Sequence, residues 1–185
     1  LTNMNRQIIA TEPALGRLKT EVSAERILGI NPFCRVRTFP LFFLPECASQ
    51  LDFSEYDYVI DAVDTVTAKL LIAEMARDAG IPMIAAMGTG NRTDPSRLKL
   101  GDLYETKGCP LARVMRRECR KRGIDRLKVV WSPEEPRRPR QTEEITERRS
   151  LPGSAIFVPA AAGLLMAFDA VRILAGNSGE NENFS

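Results

Sequence analysis

The run Tyr58-Val59-Ile60-Asp61-Ala62-Val63-Asp64 constrains this chain more than any other segment, because it is a short apolar stretch that ends in a carboxylate. Such a run, followed by a helix pattern from Val66 to Ala79 and a stop at Gly80, reads as a buried strand feeding a helix. A second apolar run, Pro82 to Met87, leads into Gly88-Thr89-Gly90-Asn91. Strand, helix, strand at this spacing is a βαβ unit. It predicts an α/β fold with a Rossmann-like, doubly wound, mostly parallel sheet and helices on both faces. Ligands of such sheets bind beyond the carboxyl ends of the strands, which places Asp64 and the loop 88–91 on the binding edge.

The remaining elements are predicted around this unit. Pro13 suits a first helical turn, Leu15, Leu18, Val22, Ile27 and Ile30 follow at helical spacing, and Asn31-Pro32 ends the helix. Arg35 to Phe43, Arg97 to Tyr104 and Leu127 to Ser132 are strand candidates. A helix is expected from Pro110 to Arg122 and a last one from Pro159 to Ala175. Residues 134–152, rich in charge and proline, are expected to form a mobile crossover segment, and residues 177–185 a disordered polar tail. The chain is 185 residues long and 44% apolar, enough for a single domain over residues 1–176.

Several function classes are set aside by what the chain contains. The most apolar stretch, Ala155 to Phe168, is shorter than the roughly 20 residues of a membrane span, is followed by Asp169, and reads as a buried helix rather than a membrane contact. No secretion signal opens the chain, so a cytoplasmic protein is expected. Cys34, Cys47, Cys109 and Cys119 form no CxxC pair and are expected to be reduced thiols. Histidine is absent, which removes the commonest general base and transition-metal ligand. Phosphate-centred chemistry tolerates that, since Lys, Arg and a Mg²⁺-binding carboxylate supply most of its catalysis.

Net charge is +2, unevenly distributed. From Glu105 to Arg149 fourteen Lys and Arg stand against eight Asp and Glu, a balance of +6 that leaves −4 elsewhere. Within this basic half, the predicted helix has Leu111, Val114, Met115 and Cys119 on one face and Arg113, Arg116, Arg117, Arg120 and Lys121 around the rest. Such a helix is either a solvated exterior or a surface for RNA phosphates, the latter extended by Arg122, Arg126 and Lys128 and by Arg137, Arg138 and Arg140. Arg6 and Lys19, two cations flanking the start of the first helix, are either surface residues or anion ligands. Asp64 caps the next helix or serves a ligand, and Asp61 carries the same ambiguity.

Together, these segments resemble the ThiF/MoeB/HesA-type adenylating enzymes over Thr2 to about Leu174. The resemblance is carried by Thr2-Asn3-Met4-Asn5-Arg6-Gln7, Gly16-Arg17-Leu18-Lys19, Arg26 with Ile30-Asn31-Pro32, and Val59 to Thr65. Gly88-Thr89-Gly90-Asn91 with Asp94-Pro95, and Cys109-Pro110-Leu111-Ala112-Arg113 with Arg120-Lys121-Arg122-Gly123, are similar to the branch that dehydrates threonylcarbamoyladenosine in tRNA.

That resemblance implies an enzyme in which ATP adenylates the threonylcarbamoyl carboxylate, after which a nucleophile of the same side chain closes a ring and releases AMP. It implies Arg6, Lys19 and Asp64 as catalytic groups, Asn3, Asn5, Gln7 and Thr65 as further ATP contacts, and Asp64 as the Mg²⁺ ligand. It further implies tRNA as partner and a homodimer, and so favours the RNA-phosphate reading of Arg113, Arg116, Arg117, Arg120 and Lys121. The family's glycine loop would precede Leu1, so this polypeptide by itself is expected to bind ATP weakly or not at all. The alternatives are an adenylyltransferase for a ubiquitin-like sulfur carrier, with a carrier-protein partner, and a non-catalytic RNA-binding or scaffolding relative. All four cysteines precede Arg120 and none is paired, which argues against a thiol relay and against a zinc-bearing branch.

Overall fold

The computed structural model describes residues 4–137 and 155–176. Asn3, most of the expected crossover segment, with Arg138 and Arg140, and the expected polar tail lie outside them. The chain divides into two compact units, Leu1–Phe43 and Leu44–Ser185.

The first unit is built around one helix, α1 (Lys19–Ile30), preceded by a short 3-10 turn at Glu12–Ala14. The helix ends where Pro32 demands, with Asn31 in an extended conformation. None of its residues is buried, and Leu15, Leu18 and Ile27 are exposed rather than packed as their spacing predicts. The strand expected over 35–43 does not form; that stretch is irregular. Pro40 removes one ladder donor, and among the described residues of this unit no other strand exists to pair with.

The second unit holds a four-stranded sheet in the order β1-β2-β4-β3. The strands are β1 (Val59–Asp61), β2 (Met83–Ala86), β3 (Lys99–Asp102) and β4 (Lys128–Trp131). β1 and β2 run parallel with Ile60 opposite Ile84, and β2 and β4 run parallel with Ala85 opposite Val129. β3 is antiparallel to β4, with Leu100 opposite Val130. The predicted βαβ unit is present: α2 (Val66–Ala79) joins β1 to β2 and stops at Gly80, whose φ of 69° is the left-handed turn that glycine adopts without strain.

Helices cover both faces of the sheet, as predicted. On one face, α2 and α3 (Pro110–Lys121) bring Leu70, Ala73, Ala112, Met115 and Cys119 against Ala85, Val129 and Trp131. On the other, α4 (Phe157–Leu174) packs Ala162 and Met166 on Ile84 and Val130. Burial at these positions supplies the main stabilisation, since each fully covered aliphatic side chain contributes about 1.5–3 kcal/mol.

α4 differs from the buried helix its composition predicts. By length and apolar composition it is the one helix among the described residues that meets the requirement for crossing a membrane. Here Val158, Ala162, Met166, Asp169 and Ala170 are buried while Phe157, Leu164, Phe168 and Val171 are exposed. Its buried carboxylate fastens it to the sheet: Asp169 accepts from Tyr58 Oη at 2.6 Å, Lys128 Nζ at 3.1 Å and Arg172 Nη2 at 3.2 Å. Desolvation raises the Asp169 carboxyl, but these three donors outweigh it and hold the group below its ordinary range.

Candidate active site

In the second unit, the carboxyl end of β1 carries the site. Asp61, the last residue of the strand, is buried, and the chain then turns through Ala62 and Val63 to bring Asp64 to an exposed position just before α2. The N-cap position of α2 is held by Thr65 rather than Asp64, and Thr65 makes no side-chain cap. Asp61 Oδ1 accepts from the Val63 backbone amide at 3.0 Å. Its other oxygen, Oδ2, accepts from Lys69 Nζ at 3.0 Å, in a pair with both side chains about 1% exposed or less. Burial pushes Asp61 up and Lys69 down, and each restrains the shift of the other; Asp64 also favours the charged form of Lys69.

Lys69 was not legible as a functional position. It lies on the stripe of α2 that buries Ala68, Leu70, Ala73 and Ala76, and a single lysine in such a pattern ordinarily snorkels to solvent. Its burial is the signal, and only the fold displays it.

The loop after β2 is shaped by a second buried cation. Arg92, 2% exposed, donates from Nη1 to Gly88 O at 2.6 Å and Gly90 O at 3.3 Å, and from Nε to Glu134 O at 3.0 Å. A Cβ at Gly88 would make ordinary contact with that Nη1 at 3.4 Å and with Cys109 Sγ at 3.5 Å. Asn91 takes a left-handed φ of 60°. Glu134 accepts from the amides of Thr93 and Asp94 at 3.1 Å, and Arg137 N donates to Asn91 O at 2.8 Å. Residues 134–137, expected to begin a mobile segment, are thus tied to the ligand-side loop.

In the first unit, Gln7, Gly16, Arg17 and Lys19 line a cavity of about 170 Å³ together with Met4, Ile9, Ala14 and Val22. Gln7 Oε1 is buried there without a hydrogen-bond partner, an acceptor of the kind that a donor-bearing ligand satisfies. Arg6 is half-buried and donates to Asn5 Oδ1 at 3.0 Å. The hollow thus sets Lys19 and Arg17, the latter paired with Glu25, beside an acceptor that an amine or hydroxyl donor could satisfy. The same chemistry bears on Mg²⁺: among the described residues no cluster of three metal-ligating side chains exists. A single exposed carboxylate such as Asp64 suits a cation that takes most of its ligands from phosphate and water. Arg6 and Lys19 belong to one unit and Asp64 with Thr65 to the other.

On α3, Arg113, Arg117, Arg120 and Lys121 are exposed. Arg120 stacks on the Tyr104 ring at 5.1 Å. Arg116 is turned inward to Thr106, donating to its carbonyl at 2.8 Å. Glu118 sits among these cations and accepts from Arg117, Lys121 and Arg122, which hold its carboxyl at about 2. Among the described residues no disulfide joins the cysteines, and burial pushes the Cys119 thiol up to about 11, far from a reactive thiolate.

Comparison with known proteins completes the picture. The model of the ThiF family matches residues 1–185. The chain is 36% identical over 176 residues to the tRNA threonylcarbamoyladenosine dehydratase of Bacillus subtilis, which covers 90% of this chain and 69% of that one. Two crystal structures of the Escherichia coli tRNA N6-threonylcarbamoyladenosine dehydratase, one with AMP and one with ATP, superpose with TM-scores of 0.84 and 0.81 at 31% identity. Each covers 96% of this chain, which spans 72% and 73% of theirs. Matches to two further dehydratases extend over less than half of those proteins.

Proposed function

The chain belongs to the ThiF family, and from that premise we propose that it is an ATP-dependent tRNA threonylcarbamoyladenosine dehydratase. The observation that carries this reading is the likeness to dehydratases of that name along nine tenths of the chain. The substrate's carboxylate attacks the α-phosphorus of ATP, and pyrophosphate leaves. A nucleophile on the same threonylcarbamoyl side chain then attacks the acyl-adenylate carbonyl, and AMP leaves. The tRNA has lost the elements of water, and ATP has become AMP and pyrophosphate.

Charge neutralisation is what this chain contributes. Lys19 and Arg6 offset negative charge on the phosphates as the leaving group departs, and Gln7, with Asn3 and Asn5, provides polar contacts to the nucleotide. Asp64, beside Thr65, is the residue that would hold Mg²⁺, which supplies further neutralisation when bound. No histidine is needed for any of these roles.

The tRNA is read by the outer surface of α3, where Arg113, Arg117, Arg120 and Lys121 offer point charges to phosphates, with Arg116 behind them. Reversing Arg113, Arg117 and Arg120 to Glu weakens tRNA binding and flattens its salt dependence; a filter-binding titration that shows neither removes the RNA surface from this reading. A second copy of the chain covers α4, whose exposed Phe157, Leu164, Phe168 and Val171 recur on one seam that a two-fold axis pairs with itself.

The experiment for the activity is ATP–pyrophosphate exchange with threonylcarbamoyl-tRNA against a ubiquitin-like carrier protein. Exchange that depends on the modified tRNA is expected. Exchange that depends on the carrier alone overturns the assignment.

A further inference from the structure

We infer that Asp61 and Lys69 are positioning residues for Asp64: their buried pair fixes the turn from which Asp64 reaches the reacting phosphates. The inference rests on the dehydratase reading only in giving Asp64 that role.

Both oxygens of Asp61 are committed, and to different things. Oδ2 takes the ammonium of Lys69, eight residues on in α2, and Oδ1 takes the amide of Val63, the residue immediately before Asp64. One carboxylate therefore links the end of a strand, the first turns of a helix and the turn between them. Ala62 and Asp64 themselves are exposed and Thr65 makes no side-chain cap, so the buried end of this link is Asp61.

Stability alone does not account for this arrangement. A buried ion pair loses two hydration shells, and replacement by well-packed apolar side chains is commonly neutral or stabilising. Lys69 also sits near the amino end of α2, where the helix field disfavours a cation. Precision at Asp64 is a gain that an apolar pair would not supply. A carboxylate that works beside the α-phosphorus during adenylyl transfer must be held within about half an ångström of its place, and a rigid supporting shell is what achieves this.

The test uses ATP–pyrophosphate exchange by the full-length protein and two double variants. In D61L/K69M the pair becomes apolar and the acceptor for the Val63 amide is lost; in D61N/K69M the acceptor is restored in the same background. With wild-type-like melting, D61L/K69M is expected to lose roughly 10- to 100-fold in kcat, with KM for the tRNA unchanged. D61N/K69M is expected to recover most of that loss. Adding Asp64→Asn should cost much less in D61L/K69M than in the wild-type protein, because the two changes act on one group.

Equal kcat in the two double variants, or an Asp64→Asn cost that is the same in both backgrounds, overturns the inference. Amide exchange at Val63 in the unsubstituted protein supplies a check that needs no variant to fold: protection is expected, and exchange at the rate of an open loop overturns the inference as well. Exchange supported only by a carrier-protein carboxylate overturns the tRNA reading and leaves this cycle to be read on that substrate.

Discussion

Residues 1–43 and residues 44–185 place their apolar side chains in opposite ways. No described residue of the first unit is buried, and Leu15, Leu18, Ile27, Phe33 and Phe42 are all exposed. In the second unit, Ile84, Val129 and Val130 are completely covered between two layers of helix. The proposed phosphate ligands Arg6 and Lys19 stand on the unit without a core, and Asp64 on the unit with one. Activity and stability are therefore separable in the first unit and entangled in the second.

The largest expected effect separates them most sharply. Arg6→Ala or Lys19→Ala lowers pyrophosphate exchange by roughly 10²- to 10³-fold, the scale of one lost transition-state donor, while thermal unfolding stays within about 2 °C of wild type. A comparable loss of melting temperature would show that these cations hold the unit together instead. In the second unit the order reverses: Ile84→Ala costs about 2–5 kcal/mol in a denaturant titration, whereas Ile27→Ala on the exposed α1 costs less than about 1 kcal/mol. Equal costs would erase the distinction between the units.

Two glycines sharpen the same contrast on a smaller scale. Gly16 and Gly108 both have left-handed φ, 80° and 75°. Gly16→Ala meets nothing within 4 Å and costs only the backbone strain of about 1–2 kcal/mol. Gly108→Ala puts a Cβ 2.7 Å from Pro133 O and costs more, since that backbone must move. Chemical unfolding of the two variants side by side checks the order.

The smallest effect lies on α3. Hydrogen bonds from Lys121, Arg117 and Arg122 hold Glu118 at about 2, so its contribution is complete above the ordinary glutamate pKa of about 4.3 and disappears as pH falls toward about 2. Glu118→Gln should make the melting temperature slightly less dependent on pH in that window, and added salt should remove the difference. A larger dependence after the substitution would contradict the sign.

How much of this was legible in the sequence follows from where each signal resides. The βαβ unit was legible because its cues are local: an apolar run, helical spacing and Gly80 at the stop. The non-strand 35–43 was not, because a strand is defined by its partner and a favourable composition supplies none. The exposed face of α1 escaped for the same reason, since spacing reports which residues share a face but not what covers it. Asp64 could be singled out from its place at the end of an apolar run. Lys69 and Arg92 could not: a lysine in a helix and an arginine in a loop are ordinarily solvated, and only the fold reveals them sealed against Asp61 and the carbonyls of Gly88, Gly90 and Glu134.

The contact between Tyr58 and Asp169 joins residues 111 apart, and Lys128 meets the same carboxylate from 41 residues away. During synthesis, β1, β2 and β4 are all available to pair before α4 has left the ribosome. Until it does, Ile84 and Val130 present an open apolar face, and Tyr58 and Lys128 wait for their shared acceptor. Completion of this fold thus waits on one late helix, and exposure of that apolar face is longest in the nascent chain.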